Sequence, residues 1–307
     1  MASILPPLPQ AQDPARAAEG GEIGPVQSGW RLALREFASN RLAVIGLAVL
    51  VFFVLFSFVG PLIYHTNQLS TDLVDANQAP SGAHLLGTDP NGFDELGRMM
   101  KGGQAALEIG FFAAFVAIVI GSLWGAVAGL FGGIVDSVMM RVVDVFLAIP
   151  FLFVVLILAV RYGASVLSLS LVIGGFSWLV PARLVRGEVL TLRVRDFVAA
   201  ARAAGSTQGR LITRHLLPNA LGVVIVNVTF QVADAILTVA AVGFLGFGLH
   251  YPNVDWGDML SDGVSSLQDG YWWLIYPVGV CIVLTVMALN FIGDALRDSM
   301  DVRLRRR

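Results

Sequence analysis

The chain is poor in charge. Of its 307 residues, 14% are Asp, Glu, Lys or Arg, against 56% that are hydrophobic. Soluble domains carry about 25% charged residues. Mean hydropathy is +0.75, so a large soluble core is excluded and the composition is that of a polytopic membrane protein. Cysteine is nearly absent. Cys281, the one example, lies inside an apolar run, so neither a disulfide framework nor a cysteine metal site can form within the chain. The four histidines, at 65, 84, 215 and 250, lack metal-ligand spacing, and no metal site is expected. The phosphate-cradling pattern GxxxxGK[ST] is missing, so any ATP hydrolysis belongs to another polypeptide. No acid–base pair or nucleophile constellation stands out. Ser177 sits beside glycines in GGFSW, but no histidine falls within an apolar stretch to serve as its base, which argues against an intramembrane serine protease. No inverted repeat is visible. That weighs against the alternative of a proton-coupled secondary transporter, in which Asp234 would carry the proton. Residues 1–28 are rich in Pro, Ala and Gly without an apolar run. They are read as a cytoplasmic tail and not as a cleavable signal peptide.

What is present is apolar sequence in long runs. The expected fold is all-α, with six transmembrane helices over about 42–63, 107–130, 142–160, 166–184, 220–247 and 274–292. Trp30 to Arg41 mixes apolar residues with arginines, as a helix lying on the membrane surface does. The expected division is an N-terminal tail and interfacial segment (1–41), a membrane domain (42–304) and a short tail (305–307). Residues 64–106 and 248–273 form two acidic outer loops, and Trp272, Trp273 and Tyr276 an interfacial aromatic belt. By this assignment 17 of the 20 basic residues fall on one side, with Arg98, Lys101 and Arg161 the exceptions. The positive-inside rule puts that side, and both termini, in the cytoplasm.

Three patterns within the spans carry information. Gly121, Gly125 and Gly129 recur every fourth residue, giving one helix face without side chains, suited to close helix packing. Arg141 and Asp144 are three apart and share a face. They are read either as a structural ion pair or as part of a cytoplasmic gate. Asn227, Gln231 and Asp234 fall on one stripe of the fifth span, facing a water-filled path or a partner subunit, or else hydrogen-bonding to neighbouring helices.

The stretch from Asp196 to Asn219, DFVAAARAAGSTQGRLITRHLLPN, follows a run of arginines at 183, 186, 193 and 195. Phe197 to Ala204 is helix-prone. Gly205-Ser206-Thr207 reads as a break and a new N-cap. Gln208 to Leu217 reads as a second short helix ending before Pro218. Nucleic-acid binding is a poor explanation for these arginines, which are pinned to a bilayer face without aromatics for stacking.

Here a resemblance appears. Ala200-Ala201, Gly205 four residues on, and Leu217-Pro218 resemble the EAA loop of permease subunits in ABC importers, with the family's leading Glu falling on Ala199. The phrase Arg214 to Asn219, RHLLPN, is similar to the C-type subunits of oligopeptide, dipeptide and nickel permeases. Other phrases follow the same family in order. They are Leu86-Gly87-Thr88-Asp89 with Asp94 and Arg98, the GGxxDxxxMRxxD phrase from Gly132, and Trp178 with Ala182-Arg183 and Arg186-Gly187. After them come Phe244 to Gly248, Trp256 to Leu260, and the tail from Asn290 to Leu304. Phe93, Gly97, Gln104 and Val302 stand where the family usually has Arg, Ser, Arg and Pro.

The resemblance implies a type I ABC importer permease with a cytoplasmic coupling helix between spans four and five. It implies that Phe197, Ala200, Ala201, Gly205, Ser206, Thr207, Arg214, His215, Leu217 and Pro218 dock an ATPase. Arg141, Asp144, Arg183, Asn227, Gln231 and Asp234 are the candidate gate or pathway residues. Asp89, Arg98 and Trp256 are the candidate contacts for a binding protein. Implied partners are a homologous B-type permease, two ATPase subunits that hold ATP and Mg, an extracytoplasmic solute-binding protein, and the lipid of a bacterial inner membrane. No cofactor is expected on this chain. A peptide is the favoured solute, with nickel chelates, glycosides and opines also carried by such permeases.

Overall fold

The computed structural model describes residues 29–305; the expected tail over 1–28 and Arg306 and Arg307 lie outside them. The described chain is helical, joined by turns. α1 (Gly29–Ser39) leads into α2 (Arg41–Phe58) through Asn40, whose side chain accepts from the Leu42 and Ala43 amides as an N-cap. α2 stops at Phe58, short of the expected 63, where a separate turn over Gly60–Ile63 begins with Pro61 inside it. The second long helix, α3 (Glu95–Phe131), starts well before the expected 107, because Asp94 caps it and accepts from the Gly97 amide.

The next two expected spans are each bent. α4 (Gly133–Leu147) and α5 (Phe151–Tyr162) meet at 77°. Pro150 lies in the break; it has no N–H to donate and keeps Ile149 out of helical geometry. α6 (Val166–Ser177) and α7 (Leu179–Leu192) meet at 42°, with Pro181 in the first turn after the bend. α8 (Asp196–Ala203) precedes α9 (Gln208–Phe247), a helical run of 40 residues broken in its last turn by Gly246 at φ +81°. Pro218, expected to terminate a short helix, lies inside it. The turns over Leu211–Leu216 are widened to π geometry, and the Leu217 amide donates to Ile212, five residues back. That extra residue per turn gives the proline ring room where an α-turn would clash. A second π stretch, Gly243–Phe247, ends α9. α10 (Trp256–Ser265) occupies the expected outer loop, and α11 (Tyr276–Arg305) closes the described chain.

Among the described residues four helices are long and apolar enough to cross a membrane, or up to six if each bent pair is one span. α3 is the central element, touching α2, α6, α7 and α9, while α9 also packs on α11. Gly121, Gly125 and Gly129 face α7, as the sequence pattern predicts. A Cβ at Gly125 would collide with the Ala182 carbonyl oxygen, so only glycine admits the backbone there. Leu107, Ile236 and Trp256 fill one core cluster, Ile109, Leu169 and Val239 a second, and Val189, Val198 and Leu216 a third beneath α8.

Candidate functional site

The turn after α8 is built from its own backbone. The Gly205 amide donates to the Arg202 carbonyl at 2.9 Å and the Ser206 amide to the Ala201 carbonyl at 3.0 Å. Gly205 takes φ +79°. These two bonds and the left-handed glycine are a Schellman ending. Thr207 then caps α9, accepting from the Arg210 amide. Val198 is fully buried and pins α8 to Leu211 and Leu216 of α9 and to Val185 and Val189 of α7. Phe197, Ala200, Gly205 and Thr207 stay exposed, and Ala201 and Ser206 are half-buried. The result is a knuckle with small exposed side chains and one exposed aromatic. The other candidate docking residues are not on it. Arg214, His215, Leu217 and Pro218 belong to the first turns of α9, whose Leu211, Ile212 and Leu216 are buried.

Arg141 and Asp144 share a face but do not pair. Asp144 takes Arg183 from α7 at 2.5 Å, both half exposed, and Arg141 is exposed without an ion pair among the described residues. A second, deeper pair lies beside it. Arg186 grips Asp136 with two nitrogens, Nη2 at 2.5 Å from Oδ2. Neither Asp136 nor Arg186 is among the candidates drawn from the sequence. The i,i+3 spacing is visible in a sequence, whereas a contact across 50 positions is not. The two pairs clamp α4 to α7, between the bends at Pro150 and Trp178.

Those bends open a cavity of about 670 Å³ between α4, α5, α6, α7 and α9. Asn227, Gln231 and Asp234 all line it, together with Ser177, Thr238 and an apolar wall of Phe146, Phe151, Phe176 and Phe230. The stripe therefore does face a cavity. Gln231 also has a structural task, since it is buried and its amide donates to the Ser177 carbonyl at 2.9 Å.

The three candidate binding-protein contacts are packed into the outer cap. Trp256 is 1% exposed; its indole donates to the Met99 carbonyl at 2.9 Å and its ring packs edge-on to Phe53. Asp89 is 4% exposed and accepts from the Asn91 and Phe93 amides. Arg98 lies over the Phe93 ring at 5.0 Å, with its Nε 3.4 Å from Asp89. A long loop folded back on a helix end must satisfy its own polar groups internally, which takes these side chains off the surface. Trp273 likewise is not a belt residue: it is buried, its indole donating to the Thr88 carbonyl, while Trp272 and Tyr276 are exposed.

Asp255 was missed. It is fully buried, caps α10 through the Gly257 and Asp258 amides, and takes the Leu249 amide at 2.9 Å, tying the end of α9 to α10. An Asp before WGDM is the N-cap signal that would have found it. Around it, burial and the neighbouring carboxylates of Asp262 and Asp255 push Asp258 up to about 6, and burial raises Asp255 and Asp262 as well.

Comparison with known proteins is consistent with this arrangement. Residues 97–306 match the family model described as binding-protein-dependent transport system inner membrane component. Residues 28–80 match the N-terminal TM domain of oligopeptide transport permease C. The chain is 40% identical to the oligopeptide transport system permease protein OppC of Escherichia coli K12, covering 89% of this chain and 90% of that one. It is 36% identical to OppC of Bacillus subtilis, covering 90% of each. It is 36% identical to the dipeptide transport system permease protein DppC of Alkalihalophilus pseudofirmus, covering 91% of each. Among solved structures, a chain of the inward-facing MetNI methionine ABC transporter matches with a TM-score of 0.51 at 24% identity, covering 67% of this chain and 96% of that one. That likeness shows the fold. Nothing in these relatives supports the proton-coupled alternative built on Asp234. The chain thus belongs to the binding-protein-dependent transport system inner membrane components, as a C-type permease: a multi-pass, non-catalytic subunit of an ABC importer, whose ATPase activity resides in other subunits.

Proposed function

We propose that this chain forms half of the translocation pathway of a peptide importer, and that the Asp196–Asn219 element is the cytoplasmic coupling helix through which a separate ATPase drives it. The observation that carries the proposal is mechanical. The α8 knuckle is locked by Val198 and the Schellman turn onto the base of α9. α9 is a helical run of 40 residues, and its middle supplies Asn227, Gln231 and Asp234 to the cavity wall. From Gln208 to Asp234 the helix extends about 40 Å, so a push on the knuckle reaches the pathway along one element, through the π turns over Leu211–Leu216 at its base.

In this account ATP and Mg sit in two partner ATPases, which close on ATP and carry α8 with them. A homologous B-type permease supplies the other half of the pathway. An extracytoplasmic binding protein delivers the solute, and both termini lie in the cytoplasm. Six spans follow if each bent pair crosses once. Peptide cargo is the reading that the names of the similar oligopeptide and dipeptide permeases support. Alternating access then amounts to a population shift between two arrangements of the α4–α7 clamp and α9.

The test replaces Gly205 with Glu, which strains the left-handed position and adds charge to the exposed turn. The variant should insert and copurify with its partner permease, yet lose ATPase stimulation by the loaded binding protein. Transport at the wild-type rate would refute the docking role.

A further inference from the structure

We infer that Asp234 is a contact for a free ammonium group on the transported solute, the amino terminus of a peptide in transit. The inference rests on the peptide-importer reading above and adds a recognition step inside the permease itself. Asp234 is the one charged residue among the described residues that line the 670 Å³ cavity. Its side chain is exposed and makes no ion pair or hydrogen bond among the described residues; only its backbone carbonyl is engaged, by Thr238. On α4, across the cavity, two acids are held by arginines. Asp144 and Asp136 each hold an arginine. An unpaired carboxylate facing an apolar wall within a span is costly and is kept only where a cation or water reaches it.

The cavity also fits the rest of such a solute. Phe146 and Phe176 pack edge to face at 6.0 Å and line the same space, giving ring faces that attract a cation and cover apolar side chains. Its volume lies in the range of small-molecule pockets, roughly 300–1,000 Å³. An ammonium has three donors and no acceptor, so a carboxylate can hold it without a fixed orientation, as a site that must also release its cargo requires. An anionic solute meets no basic side chain in this lining.

The experiment uses the complete complex in proteoliposomes, with the partner permease, ATPases and binding protein. Uptake is measured for a peptide with a free amino terminus and for its N-acetylated form, each scaled to the amount held by the binding protein. Wild type should carry the free form about tenfold faster, the scale of one charge-assisted hydrogen bond. Asp234→Asn should lose that preference by slowing the free form alone, and Asp234→Glu should restore it. Equal rates for the two forms in wild type would overturn the inference while leaving the peptide reading intact. So would an Asp234→Asn variant that slows both forms equally. If the Asn variant fails to retain the partner permease on copurification, Asp234 pairs across the subunit interface and the inference fails. If no peptide is taken up or stimulates the wild-type ATPases, the peptide reading falls and the inference with it.

Discussion

Gln231 donates from the middle of α9 to the Ser177 carbonyl, at 2.9 Å, and that carbonyl is the acceptor Pro181 leaves without its helical partner four residues on. The bend between α6 and α7 is therefore completed by a side chain from another helix, the means by which proline is tolerated in apolar surroundings. Gln231→Leu should destabilise the chain by about 1–3 kcal/mol, because it strands a buried acceptor. Pro181→Ala should recover part of that loss by restoring the amide donor. Thermal unfolding of the single and double variants in detergent checks both, and additive effects would contradict the pairing.

Close packing of α3 on α7 makes a second prediction. Gly125→Leu places a side chain where even a Cβ would collide with backbone, at Ala182. It should prevent recovery of folded, monodisperse protein. Gly187 lies within α7 with nothing within 4 Å of its Cβ position. Gly187→Ala should be neutral or stabilise by up to about 1 kcal/mol, measured as a shift in melting temperature.

Much of this was legible in the sequence because its causes are local. Apolar runs marked the membrane helices, glycines four apart marked the α3 face, and Gly205 with Thr207 marked the end of one helix and the start of the next. What could not be read depends on distant partners. Asp144 chose Arg183, 39 positions away, over Arg141 on its own helix. Pro150 and Pro218 look alike as helix breakers, yet the first bends the chain by 77° and the second is absorbed by a π turn. Asp89, Arg98 and Trp256 fall in stretches that hydropathy alone reads as polar surface loops, yet Arg98 lies in the first turn of α3, Trp256 starts α10, and all three pack into one cap.

That cap carries a pH dependence. Asp258 is raised from 3.8 to about 6 by burial and by Asp262 and Asp255, against a smaller opposing pull from Arg98 and His250. A carboxylate raised on folding favours the folded state when protonated. Its contribution is therefore full below about pH 3.8 and is lost as pH rises through about 6. The outer cap should resist proteolysis better at pH 4 than at pH 7, by about 1–2 kcal/mol once solvent screening is allowed for. Asp258→Asn should flatten the profile over that window. A cap that becomes more resistant with rising pH would reverse the sign.

The central claim, that the α8 knuckle receives the motion of a separate ATPase, is tested most directly by cross-linking from Ala200. Cys281 is the one native thiol and is buried; replaced by serine, it leaves Ala200→Cys as the sole reactive position. In the assembled transporter a short cross-linker at that position should capture an ATPase subunit, with a yield that changes when ATP is added. Labelling of the introduced thiol by an impermeant reagent from outside the cell, or the absence of any ATPase adduct, would contradict the account.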